Sequence, residues 1–177
     1  MNYYKKKLYI PQIDRNDNII GPIERWQAHK DSILHRGFTV ILNYQDKIIV
    51  QHRKHPVFDG YFDISCSSHQ IYMNNQLQSI EDAIGDVLVR EWHLHQDDLI
   101  GKPVFLDKSY YQAKDSQSDY YEHEICHFYL QKINKLPQPD DLYCYDFLVI
   151  DKNKLKDKST KINKMYAPWV AHVIGLL

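Results

Sequence analysis

The sequence is short of cysteine, of glycine and of any surplus of basic charge. Its three cysteines (Cys66, Cys126 and Cys144) stand at no repeated spacing and make no Cys-x-x-Cys pair. That pattern suggests neither a zinc knuckle nor a disulfide framework. Lys and Arg number 22 against 23 Asp and Glu, a formal charge of −1, so there is no basic excess of the kind a nucleic-acid or membrane-surface partner requires. No apolar run approaches the roughly 20 residues of a membrane span. The first ten residues, MNYYKKKLYI, carry positive charge without an apolar signal-peptide core. No internal repeat or low-complexity linker divides the chain. The expectation is one soluble cytoplasmic domain over residues 1–177, a monomer or homodimer.

What the chain has in abundance is histidine and tyrosine, ten and fourteen residues against six glycines. Excess histidine serves metal or proton chemistry, or is solvated surface, and composition alone does not choose.

The hydrophobic pattern outlines the fold. Residues 8–20 read as two short strands around an Asp-Asn turn. Residues 38–44 and 47–53, rich in β-branched side chains, form a hairpin across Gln45-Asp46. Residues 57–65 supply a glycine turn and a further strand. Ser79 and Asp82 make a capping box for a helix over about 80–93, with Ile80, Ala83, Ile84, Val87, Leu88 and Trp92 on one stripe. Glu91 falls on that same stripe, where a carboxylate is costly unless it is paired, metal-bound or reaches solvent at the helix end. Strands follow at 104–112, 122–133 and 141–151, then a Lys-rich loop at 152–164. A last helix starts in YAPWVAHVIGLL, with Pro168 in its first turn. Strands, helix, strands, helix make an α+β or mixed α/β sandwich, a mixed sheet flanked by helices, rather than a doubly wound parallel sheet.

Glu122 and Glu124 are alternate residues of a strand, so both carboxylates project from one face about 7 Å apart. Cys126, Phe128 and Leu130 continue that face. Two carboxylates heading a buried stripe repel unless a proton or a cation lies between them. His29, His35 and His69 could join them, and imidazole with carboxylate suits Mn, Fe, Zn or Mg rather than copper. Arg25, Arg53 and Lys54 could hold a phosphate or diphosphate. Trp169 is most economically core.

Five segments now compose a recognisable series: ERWQAHKDSILHRGF (24–38), FDISCSSH (62–69), EDAIGDVLVREWHL (81–94), EHEICHFYL (122–130) and YAPWV (166–170). In order and spacing the chain resembles type I isopentenyl-diphosphate isomerase, a Nudix-fold enzyme. The resemblance implies one divalent metal (Mn, Mg or Zn) on His29, His35, His69, Glu122 and Glu124. It implies proton transfer by Glu124 with Tyr111, a carbocation facing Trp169, and a second Mg²⁺ held with the substrate diphosphate near Glu91. Aligned on His69, the family's catalytic cysteine falls on Ser67, and this chain's own cysteine stands one position earlier, at Cys66. The expected Nudix helix is altered too, with Asp86, Arg90 and His93 at three of its consensus positions. The implied reaction is conversion of isopentenyl diphosphate to dimethylallyl diphosphate. The alternatives are a divergent Nudix hydrolase of another diphosphate and a metal-binding module without catalysis.

Overall fold

A computed structural model describes residues 3–157 and 165–177. After a single helical turn at Tyr3–Lys5, strand β1 (Tyr9–Ile13) pairs antiparallel with β2 (Ile19–Glu24). The short helix α1 (Arg25–Lys30) leads to the central strand β3 (His35–Tyr44). Strand β3 turns into β4 (Lys47–Arg53) through Gln45 and Asp46. Both have positive φ, 50° and 61°, the conformation that lets a two-residue turn follow the right-handed twist of its strands.

Two further short strands, β5 (Phe62–Asp63) and β6 (Cys66–Ser68), lie against β4 and β3. A small hairpin of β7 (Tyr72–Met73) and β8 (Gln76–Leu77) precedes helix α2 (Ile80–Trp92). The long pair β9 (Leu99–Lys114) and β10 (Tyr121–Ile133) is antiparallel, and β10 also runs parallel to β3. Strand β11 (Cys144–Asp151) closes the β4 edge, and the chain ends in α3 (Lys152–Leu155) and α4 (Val170–Leu176). No helix among the described residues is long and apolar enough to cross a membrane.

Alternation along β3 builds a core on each side of the sheet. Phe38, Val40 and Leu42 pack with Ala83, Val87, Leu88 and Trp92 of α2. Ile41 faces the other way, toward Phe128, Trp169 and Val173 beneath the C-terminal segment. The mixed sheet with helices on its faces is the expected α+β sandwich. Helix α2 starts where the capping residue predicts: Ser79 Oγ accepts the Asp82 amide at 3.1 Å. It stops at His93, which is left-handed at φ 49°.

Several boundaries differ from the sequence reading. Helix α1 was not anticipated, because a helix of under two turns leaves too short a periodicity to detect. The segment 141–143 is turn rather than strand, and residues 152–155 are helical. Residues 158–164 of the Lys-rich run lie outside the described residues. Pro168 stands in the turn before α4 rather than inside it.

Candidate metal centre and active site

Register brings the candidate residues together. Glu124 on β10 sits beside His35 across the parallel ladder and beside Tyr111 across the antiparallel one. His29 comes from α1, His69 from just after β6, and Glu122 from one pleat before Glu124. Four of the five proposed ligands cluster: one ligand atom each from His29, His35, His69 and Glu122 lies within 4.8 Å of the others. The fifth, Glu124, accepts from His69 Nε2 at 2.9 Å and lies 3.3 Å from His35 Nε2.

The histidine tautomers follow from their partners. His29 Nδ1–H donates to the Tyr121 carbonyl at 3.0 Å, and His35 Nδ1–H to the Ile33 carbonyl at 2.7 Å. A carbonyl only accepts, so each Nδ1 carries a proton, and each Nε2 is the ring nitrogen left to meet an ion. Both Nε2 atoms, and Oε2 of Glu122, are buried without a hydrogen-bond partner. Orphaned buried polar atoms are costly, and three of them in one cluster fit a cation. Burial, then His35 and His69, hold the His29 imidazole well below its ordinary pKa, so it stays neutral. Burial and the neighbouring Glu124 push the Glu122 carboxyl well up. Burial would also raise Glu124, but the imidazoles of His35 and His69 set against it outweigh burial and hold Glu124 well down.

Tyr111 donates a short hydrogen bond to Glu124. Burial, then Glu124, raises the phenol well above its ordinary value, so it remains a donor. Trp169 is 2% exposed yet borders the same cleft, its ring 5.5 Å from Tyr111 and stacked on it. Its Nε1 donates to Asp63 at 2.8 Å.

Two of the candidate residues, Cys66 and Lys54, do not border the cleft. Cys66 is fully buried among Phe38, Leu88 and Trp92, on the α2 side of the sheet. One residue along a strand reverses the face, so Ser67 borders the cleft and Cys66 does not. Ser67 Oγ donates to Asp63 at 2.8 Å and is 2.8 Å from Thr39 Oγ1. The same alternation divides Arg53 from Lys54. Arg53 reaches the cleft and pairs with Asp63 at 2.7 Å. Lys54 turns outward, donating to the Asp141 carbonyl at 2.8 Å. Arg25 and Glu91 both border the cleft.

The sequence reading missed two participants. Asp63, fully buried, accepts from Arg53, Ser67, Trp169 and the Ile64 amide, tying three cleft residues to one carboxylate. Arg90, placed among altered helix positions, also borders the cleft.

No family model matches the chain. Among curated proteins it is 29% identical over 178 residues to human isopentenyl-diphosphate delta-isomerase 2, covering 89% of this chain and 77% of that one. It is 24% identical over 162 residues to an isopentenyl-diphosphate delta-isomerase of Serratia proteamaculans, covering 89% and 84%. A crystal structure from Deinococcus radiodurans superposes with a TM-score of 0.68 at 13% identity, over 94% of this chain and 97% of that one. A MutT Nudix hydrolase from Burkholderia pseudomallei gives 0.54 at 13% identity, over 81% and 98%. The chain has the Nudix fold and is a divergent sequence relative of the isopentenyl-diphosphate isomerases.

Proposed function

We propose that this protein is a divalent-metal-dependent isomerase converting isopentenyl diphosphate to dimethylallyl diphosphate. The observation that carries the proposal is the Glu124 carboxylate, held between His35, His69 and Tyr111 at the floor of a cleft bordered by Trp169 and arginines. His29, His35, His69 and Glu122 would hold the ion, with Glu124 beside it. Three imidazoles favour Mn²⁺ or Zn²⁺ over Mg²⁺, which prefers oxygen. Bound there, the ion supplies positive charge that offsets two adjacent buried carboxylates.

The reaction is a proton shift without redox change. A proton added to the terminal CH₂ carbon of the alkene leaves a tertiary cation. Loss of a proton from the CH₂ on the other side, next to the one bearing the diphosphate oxygen, forms the new double bond. Glu124, hydrogen-bonded to Tyr111, moves one of these protons. Ser67, held by Asp63 and Thr39, stands at the other station. The π face of Trp169 stabilises the cation between them, and Arg25 and Arg53 bind the diphosphate. A hydrolase reading has less support. Helix α2 offers it one carboxylate, Glu91, already paired with Arg90, and Asp86 is engaged by Gln78.

The test is direct. Purified protein loaded with Mn²⁺ or Zn²⁺ is incubated with isopentenyl diphosphate, and dimethylallyl diphosphate is measured. Conversion in neither direction by metal-replete protein overturns the proposal. Phosphate release instead would favour hydrolysis.

A further inference from the structure

We propose that Arg90 grips the substrate diphosphate directly, in the position where the resemblance expects a second Mg²⁺ beside Glu91. The inference takes its ligand class from the function proposed above.

Neighbouring residues on a helix do not ordinarily face each other. Yet Arg90 and Glu91, at the end of α2, both turn into the cleft, with Arg90 Nη2 donating to Glu91 Oε1 at 2.9 Å. Arg90 Nη2 also reaches Ser68 Oγ at 3.3 Å, and the guanidinium lies 3.9 Å above the Tyr3 ring. Its Nε is buried with no acceptor, and so are Nε of Arg25 and Nε of Arg53. Three guanidiniums therefore border one cleft, each with an unused buried donor.

The acceptors beside them are committed. Asp63 takes four hydrogen bonds. Glu91 takes Arg90 on one oxygen and Gln51, at 3.4 Å, on the other. Arg25 has no carboxylate partner among the described residues and donates to the carbonyls of Tyr3, Tyr4 and Lys6. Glu122 and Glu124 line the same cleft but face the ion proposed for the histidine site, so the three guanidiniums stand against Glu91 and Asp63 alone, and the unused donors require acceptor oxygens.

A second Mg²⁺ does not fit this corner. The Glu91 carboxylate is taken, and a guanidinium 2.9 Å from it would repel the ion. Among the described residues, the one cluster of three or more ligating side chains is the histidine site, and it does not include Glu91. A diphosphate answers both the charge and the donors. Its oxygens match the planar fork of arginine, which binds phosphate in pairs of parallel hydrogen bonds.

Inorganic pyrophosphate tests the inference without catalysis. It is titrated calorimetrically into protein whose histidine site is already loaded, with and without excess Mg²⁺. Wild type should bind it with an affinity that changes less than about 3-fold on adding Mg²⁺. Arg90→Gln should weaken binding at least about 10-fold without Mg²⁺, with metal content and melting temperature retained. Arg90→Lys keeps the charge and the Glu91 partner and should fall between them. Wild-type binding that requires excess Mg²⁺ would overturn the inference whatever the variants do. So would an Arg90→Gln or Arg90→Lys protein binding as tightly as wild type. Isopentenyl diphosphate turnover on the same preparations separates the two proposals. Arg90-dependent pyrophosphate binding without turnover defeats the isomerase and leaves this site. Turnover with binding indifferent to Arg90 does the reverse.

Discussion

The carboxylate of Glu124 lies directly over Gly37, in the space any other residue would fill with its Cβ. Glycine is needed at this position for room rather than for backbone freedom. Gly37 pairs with Cys126 across the parallel ladder, and Glu124 leans over it from one pleat away.

Gly37→Ala should therefore damage the metal centre from below. The added methyl meets the Glu124 carboxylate, which has Tyr111 and His69 on its other sides. Overpacking of this kind costs about 1–3 kcal/mol, and the displaced carboxylate leaves His69 and Tyr111 without their acceptor. Metal content by elemental analysis should fall together with melting temperature. A Gly37→Ala protein with full metal content and wild-type turnover would show that Glu124 is not fixed by this contact.

Glu122→Gln should stabilise the metal-free protein and weaken metal binding. Burial and Glu124 raise the Glu122 carboxyl well above its usual range, so in the metal-free protein it resists ionising. A raised carboxyl is a destabilising influence above its unfolded value, and a neutral amide removes it. As a ligand the same carboxylate must give up its proton, so metal uptake at neutral pH should release it. Calorimetry in buffers of different ionisation enthalpy should count fewer protons released by Glu122→Gln, with affinity lower by at least about ten-fold. Equal proton counts would mean that Glu122 is already ionised.

How much of this was visible in the sequence depends on the range of the interaction. Strand alternation put Glu122 and Glu124 on one face, and helical spacing put Glu91 inward, because both are consequences of backbone geometry over a few residues. Glu91 is indeed 6% exposed. The side taken by Cys66 was undetermined, since a strand's phase is set by where its pairing begins, here Val40 opposite Cys66. Asp63 and Arg90 were missed for another reason. Their roles rest on partners up to 106 residues away in sequence, such as Trp169 for Asp63, and no local pattern encodes such a contact.

Asp17 offers a prediction about pH. It receives Arg36 at 2.7 Å and Lys108 and His127 at 2.8 Å, joining its turn to β3, β9 and β10. Burial would raise its carboxyl, but those three partners outweigh burial and hold it below the ordinary value. A depressed carboxyl contributes stability that is complete above its unfolded pKa, about 3.9, and is lost as pH falls through the folded one. Asp17→Asn should cost about 1–2 kcal/mol near neutrality. His127, held below its ordinary pKa mainly by burial, should widen the gap as it gains charge in mild acid. Below about pH 4 the gap should close as Asp17 takes its proton. Urea midpoints of both proteins across pH 3–7 report it, and a gap unchanged down to pH 3 would show that the cluster contributes nothing through charge.

Cys66 and Ser67 give the sharpest separation of structure from chemistry, because adjacent residues face opposite ways. Cys66→Ala empties a fully buried site under α2 and should cost about 1 kcal/mol, with isomerase turnover per folded molecule unchanged. Ser67→Ala removes the hydroxyl between Asp63 and Thr39 and should lower turnover without a comparable loss of stability. Ser67→Cys is the informative variant. A thiol, with a pKa of about 8.5 against a far weaker hydroxyl, is the stronger acid at the same station. If Ser67 limits the reaction through its acidity, Ser67→Cys should raise kcat while KM stays near wild type. The pH profile should also gain a limb from thiol ionisation. A Ser67→Cys protein no faster than wild type, together with a Cys66→Ala protein that loses turnover, would place the proton donor on the wrong side of this sheet.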